Sequence, residues 1–113
     1  CEIQLMANIY KNVLFSQGVT TKTDLYTVPS NSRAIIQNIQ VTNETGNVNV
    51  QVYVYDNSTT TEHEISHVTV AARSTENMAK GPVILEESDV LRIQAGTIDA
   101  VSGIISILEI NRD

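Results

Sequence analysis

Val48, Val50, Val52 and Val54 alternate with Asn49, Gln51, Tyr53 and Tyr55. A period of two puts the valines on one face of a strand and the amides and tyrosines on the other. The segment predicts a half-buried β-strand, and the same grammar recurs from Tyr10 to Ile110. Residues 9–15 are apolar, have strand length and end in the turn-like Ser16-Gln17-Gly18. Residues 24–28 predict a second strand, closed by Pro29-Ser30-Asn31-Ser32, where proline cannot donate to a central ladder. From Arg33 to Asn43 the odd positions Ile35, Ile39 and Val41 share a face with Gln37, while Ala34, Ile36, Asn38, Gln40 and Thr42 occupy the other. The odd face is the better core candidate. Asn43-Glu44-Thr45-Gly46-Asn47 supplies hairpin-loop residues, so this strand and the valine strand are expected to be antiparallel neighbours.

Beyond the polar loop at residues 56–61, residues 63–70 carry Ile65, Val68 and Val70 in a less tidy alternation that suggests a strand with a bulge or shifted register. Residues 71–80 read as irregular with one short strand. Val83-Ile84-Leu85 is apolar, Glu86-Glu87-Ser88-Asp89 is a charged turn, and Val90, Leu91 and Ile93 resume the pattern through Ala95. After a turn at residues 96–99, residues 100–110 form a long apolar run with Gly103 near its start, as expected for a strand packed on both faces or bent at the glycine. No ten-residue stretch has convincing helical periodicity. Short strands separated by turns every eight to twelve residues or so predict an all-β chain, a single-domain antiparallel β-sandwich. Without tryptophan or a cysteine pair the immunoglobulin form lacks its signature, which leaves a jelly-roll-like arrangement. The domain is expected over residues 9–111, preceded by an N-terminal extension over residues 1–8. Met6-Ala7-Asn8 resembles a translation start, which makes residues 1–5 an upstream extension; the less favoured alternative is a Cys1 exposed by signal cleavage and lipidated.

Composition narrows the function. A chain of 113 residues with 42% hydrophobic but only 4% aromatic residues can bury one core, and that core must be aliphatic. Seven Lys plus Arg against thirteen Asp plus Glu give a net charge of -6, and the cations are scattered along the chain. Clustered cations are what a phosphate backbone rewards, so no nucleic-acid partner is expected. A single cysteine makes no intramolecular disulfide, and no apolar run approaches the roughly 20 residues that cross a bilayer, so no membrane partner is expected either.

The candidate chemistry is thin. His63 and His67 with Glu62 and Glu64 resemble metal ligands, but on a regular strand the two histidines project from one face about 13 Å apart, too far for one tetrahedral ion. Glu86, Glu87 and Asp89 read more simply as a solvated turn than as a calcium loop or a catalytic pair. No nucleophile elbow and no phosphate-binding glycine loop is present, so neither an enzyme nor a cofactor is expected. Tyr53 and Tyr55 differ, because they lie opposite the valines on a strand that carries no charge before Asp56. They are expected to be covered by a second sheet or by another subunit, with Ile36 helping on the same side if its strand lies alongside, which makes Ile36, Tyr53 and Tyr55 the candidate interface residues.

Two stretches carry a family resemblance. Leu25-Tyr26-Thr27-Val28-Pro29-Ser30-Asn31-Ser32-Arg33-Ala34-Ile35-Ile36 and Gly81-Pro82-Val83-Ile84-Leu85-Glu86-Glu87-Ser88-Asp89-Val90-Leu91, with the ending Ile107-Leu108-Glu109-Ile110, resemble small virion structural proteins of tailed bacteriophages over most of residues 7 to 110. The resemblance lies in turns and strand faces and transfers no binding residue; residues 1–5 fall outside its pattern. It implies a capsid decoration (cement) protein located in the virion, a homo-oligomer, with a trimer suggested by analogy, whose partners are the major capsid protein or other virion proteins. A neck, tail or fibre component is the alternative that the same resemblance allows. A carbohydrate-binding sandwich is the rival from another class, and with four tyrosines and no tryptophan its sugar platform is thin.

Overall fold

The computed structural model describes residues 6–112, with the side chains of residues 6, 7 and 112 left aside. Its described residues form nine strands in chain order: β1 (Met6–Ser16), β2 (Thr23–Thr27), β3 (Ser32–Asn43), β4 (Val48–Asp56), β5 (Thr61–Val70), β6 (Thr75–Asn77), β7 (Val83–Leu85), β8 (Val90–Ala95) and β9 (Val101–Arg112). β1 begins at Met6 rather than at the expected domain boundary, and the rest of the expected extension, residues 1–5, lies outside the described residues.

The strands make two antiparallel sheets. In sheet A the order is β1-β9-β3, with β6 and β7 both pairing the far side of β3; in sheet B it is β2-β8-β4-β5. Counting β6 and β7 as one interrupted strand gives four strands per sheet, and the chain crosses between sheets after every strand except β4, which turns directly into β5. This is a jelly-roll β-sandwich.

The core is aliphatic, as the composition requires. Val48, Val50 and Val52 are buried at 3% exposure or less against Ile39, Val41, Ile105 and Ile107 of sheet A and Leu91 and Ile93 of β8. The valine face of β4 therefore does what its alternation dictates.

The loop after β3 does not. β3 and β4 lie in opposite sheets and share no ladder. Asn43, fully buried, accounts for this: its Nδ2 donates to the carbonyls of Gly46 at 2.7 Å, Val70 at 3.0 Å and Ala71 at 3.2 Å, and its Oδ1 accepts the Thr45 N–H at 3.0 Å. The backbone N–H groups of Asn43 and Glu44 go to Ser74 and Ala100 instead of to β4. Gly46 keeps a negative φ, so the type I′ geometry that closes a tight hairpin is not formed. A buried asparagine thus turns an expected hairpin into an arch between sheets.

β3 also changes face midway. Ala34 and Ile36 point inward, Gln37 is an extra residue with no partner on β9, and Ile39 and Val41 point inward after it. The expected odd core face holds only beyond this bulge, and Ile35 before it faces outward. β9 is flanked on both sides, and Gly103 is required there: a Cβ would overlap the Gln40 carbonyl oxygen and sit 2.7 Å from Phe15 Cζ.

At one end of the sandwich the core turns polar. Glu109, 3% exposed on the inner face of β9, accepts the hydroxyl of Tyr26 from sheet B and the ammonium of Lys11 from β1 at 3.1 Å. Burial alone would push this carboxyl up, but the Tyr26 and Lys11 donors outweigh it and hold the pKa below the usual carboxylate value. Burial and the neighbouring carboxylate push the Tyr26 phenol far up. The cluster ties the two sheets together.

Candidate interaction faces

Each sheet turns its inner face to the core and leaves its outer face and loops at the surface. On the outer face of sheet B, Tyr53 stands opposite Glu64 on β5 and Arg92 on β8, and Tyr55 opposite Glu62 and Val90. Arg92 bridges Asp24 of β2 at 2.7 Å and Glu62 of β5 at 2.8 Å, and Lys22 also pairs with Glu62. These cations lie on the tyrosines: Lys22 Nζ is 4.3 Å from the Tyr53 ring centroid, and Arg92 Cζ is 5.0 Å from that of Tyr55. The Tyr53 hydroxyl donates to Gln94 Oε1 at 3.2 Å, and the residue is 9% exposed. Hydrogen bonds from Lys22 and Arg92 hold the Glu62 carboxyl below its ordinary pKa.

Within the chain, Lys22 and Arg92 rather than a second sheet lie on the tyrosines. Ile36 does not join them. It is fully buried in sheet A, because the core-facing parity of β3 before its bulge is even, so it is corrected from interface to core.

The histidines separate as well. Ile65 is an unpaired extra residue in β5, and this bulge puts His67 opposite Gln51 on the outer face but His63 opposite Val54, on the side of the valines. His67 Nδ1 lies 3.0 Å from Glu64. Among the described residues no group of three or more His, Cys, Asp or Glu is placed to hold a metal ion.

The acidic turn lines an open cleft of about 610 Å³ with Asn31, Arg33 and Ser58. Its carboxylates brace loops. Asp89, 7% exposed, accepts the N–H of Glu86 at 2.9 Å and of Asn57 at 3.2 Å, and Glu87 accepts the N–H of Asn31 at 2.8 Å. Ser88 and Asn31 adopt left-handed conformations at φ 67° and 59° to make these turns. The turn thus joins the β2–β3 and β4–β5 loops at one end of the sandwich.

The outer face of sheet A is different in kind. Tyr10 on β1, Leu108 on β9, Ile35 on β3 and Ile84 on β7 are direct cross-strand partners, so they form one apolar row across the whole sheet. Leu14 and Ile104 stand two rows further along, beyond the polar Asn12–Ser106–Asn38 row and beside Gln40. Tyr10, Leu14 and Ile84 are 76%, 72% and 67% exposed. From the Ser16–Ser102–Thr42 row to the Tyr10–Leu108–Ile35 row no outward position of β1, β9 or β3 is charged, in a chain that is 18% charged. Its exposed apolar side chains and lack of charge set this stretch apart from the ion-paired outer face of sheet B. Sequence reasoning passed over these residues. The signal was the final apolar run, which alternates too little for a strand with one wet face.

Family models and curated protein sequences give no match to this chain. Solved structures do, at the level of fold. A Bacillus endospore appendage protein, from a family of disulfide-linked pili, is similar with a TM-score of 0.61 at 15% identity, over 97% of this chain and 90% of that one. A chain of the acid-stable capsid of Helicobacter pylori bacteriophage KHP30 is similar with a TM-score of 0.55 at 12% identity, over 98% of both chains. A chain of the T13 particle of infectious bursal disease virus has a TM-score of 0.61 at 9% identity, over 95% of this chain but 30% of the viral one. The chain therefore shares its fold with viral capsid chains and with a spore-appendage chain.

Proposed function

We propose that this chain is a non-enzymatic structural protein of a phage virion, a decoration or cement protein that sits on the outer capsid surface and stabilises the shell. The observation that carries the reading is the outer face of sheet A, where the Tyr10–Leu108–Ile35–Ile84 row is apolar and the outward positions of β1, β9 and β3 from that row to Ser16–Ser102–Thr42 carry no charge, on a chain whose sheet B face is ion-paired. A large contact face without a chemical centre suits a protein that acts by being bound. Two further points support it. The turn and strand motifs of residues 25–36 and 81–91 resemble those of small virion proteins of tailed phages. The KHP30 capsid chain matches over its whole length, so the similarity there is between chains of like size.

The mechanism is additive contact. Each bound copy favours the closed shell over the disrupted one, and many copies multiply a modest contact energy by mass action. The test is stoichiometry: protein-normalised mass spectrometry of purified particles should give hundreds of copies, comparable with the shell protein. A dozen or fewer copies would move the chain to the neck, tail or fibre, and its absence from particles would sink the reading.

A further inference from the structure

We infer that the free edge of β1 pairs antiparallel with β1 of a second copy, so that two sheets A join edge to edge into one. This goes beyond the virion reading and does not rest on it, and it leaves the outer face of sheet A open to a shell.

The sandwich has four edges, and three are blunted. β2 is five residues long with a register shift between Asp24 and Tyr26. β5 bulges at Ile65 and carries Glu62, His63, Glu64 and His67. β6 and β7 are three residues each and are separated by a segment containing Gly81-Pro82. Short strands, bulges, prolines and charges are what keeps a sheet edge from pairing with another chain. β1 lacks them but for one lysine. Its register with β9 runs unbroken from Met6–Arg112 to Ser16–Ser102, without proline or acid, and among the described residues no strand pairs its far side. The lysine, Lys11, is drawn onto Glu109 of β9 at 3.1 Å.

A row of unpaired N–H and C=O groups is complementary to an extended strand. The side chains say which strand. Residues 8–16, Asn-Ile-Tyr-Lys-Asn-Val-Leu-Phe-Ser, read nearly the same in polarity from either end. A two-fold axis at Asn12 therefore sets Asn8 opposite Ser16, Ile9 opposite Phe15 and Tyr10 opposite Leu14 of the second copy, with Asn12 opposite itself. Tyr10 and Leu14, 76% and 72% exposed, then cover each other. The one mismatch, Lys11 against Val13, is relieved because Glu109 of its own chain holds the ammonium. Charge agrees, since two chains of net charge -6 meet along a strand without an acid. Ladder bonds, about one per residue pair, hold such a contact, so it needs no wide apolar face. The contact is two-fold, where the resemblance alone suggested three copies.

The experiment is sedimentation equilibrium on the full chain, wild type beside Asn12→Lys, Asn12→Glu and Ile84→Lys, with circular dichroism to check that each variant keeps its fold. Asn12 and Ile84 are exposed, and Ile84 lies on the opposite edge of the sheet. Wild type and Ile84→Lys should weigh twice the 12.4 kDa chain. Asn12→Lys and Asn12→Glu each place like charges opposite one another and should associate about 10-fold more weakly, and mixing the two should restore the dimer.

Register is read by oxidative cross-linking in a Cys1→Ser background. Asn12→Cys should give a linked dimer, whereas Ser16→Cys, with its two copies about 26 Å apart, should not. A wild-type monomer throughout, a dimer that Ile84→Lys breaks and Asn12→Lys does not, or equal cross-linking at 12 and 16 overturns the inference. If the chain is monomeric and Asn12→Lys blocks its incorporation into particles, a shell strand occupies the edge: the decoration role stands and the second copy falls. If it dimerises at Asn12 yet is missing from particles, the reverse holds.

Discussion

Replacing Glu109 by glutamine removes one negative charge from the polar end of the core and little volume. The carboxylate accepts a charge-assisted bond from the buried Tyr26 hydroxyl and pairs with Lys11, whose side chain is 39% exposed. Hydrogen bonds to a charged group contribute about 1.5–3 kcal/mol, and a neutral amide oxygen in the same place retains about 1 kcal/mol of that. The half-exposed Lys11 pair adds at most about 1 kcal/mol. Glu109→Gln should therefore destabilise the fold by about 1–2 kcal/mol at pH 7. Unfolding entropy of about 2.1 cal/mol/K per residue over 113 residues converts this to a fall in Tm of about 4–8 °C.

The effect must depend on pH in one direction. The folded pKa of Glu109 lies below its unfolded value, so its contribution is complete above the unfolded pKa and is lost as pH falls through the folded one. Once protonated, the wild-type side chain is itself neutral, so the gap between wild type and variant should hold down to the ordinary carboxylate range, narrow below it, and close once pH has passed the lowered folded pKa. Thermal unfolding of both proteins by differential scanning calorimetry, carried from pH 7 down to about pH 2, measures this. A gap that stays constant across that range, or no gap at pH 7, would refute the account of the cluster.

Three other substitutions test other parts of the structure. Gly103→Ala should cost about 2 kcal/mol or more in urea unfolding, and adding Phe15→Ala should not rescue it, because the Gln40 carbonyl oxygen still blocks the Cβ. Asn43→Ala strips hydrogen bonds from the carbonyls of Gly46, Val70 and Ala71 and should lower stability by about 2–4 kcal/mol, with faster amide exchange at the end of β5. Tyr53→Lys with Tyr55→Lys places two ammonium groups beside Lys22 and Arg92 and should cost about 1–3 kcal/mol in thermal unfolding without changing the association state of the chain.

The strands were legible because their faces differ. The valine alternation of β4 fixed its inner face, and the irregular spacing of Ile65, Val68 and Val70 announced the bulge in β5. Pairing was not legible, because it depends on one side chain. Asn43 reads as a loop residue in sequence, yet its burial redirects the chain from sheet A to sheet B. Likewise nothing local marks Gln37 as the extra residue that reverses the parity of β3 and takes Ile36 into the core. The tyrosines of β4 stand out in sequence because they lie opposite the valines on an uncharged strand. What sequence could not give was Lys22 and Arg92, distant in the chain, arriving to cover them. The row on sheet A escaped for a related reason: its four residues come from four strands and meet only through register.

The most direct test of the virion role is a cryo-EM reconstruction of the particle that carries this protein. The account predicts a jelly-roll of these nine strands on the outer capsid surface, repeated over the lattice, with the Tyr10–Leu108–Ile35–Ile84 row covered by protein density. Density confined to the neck or tail, or a capsid-bound copy with that row facing solvent, would contradict it.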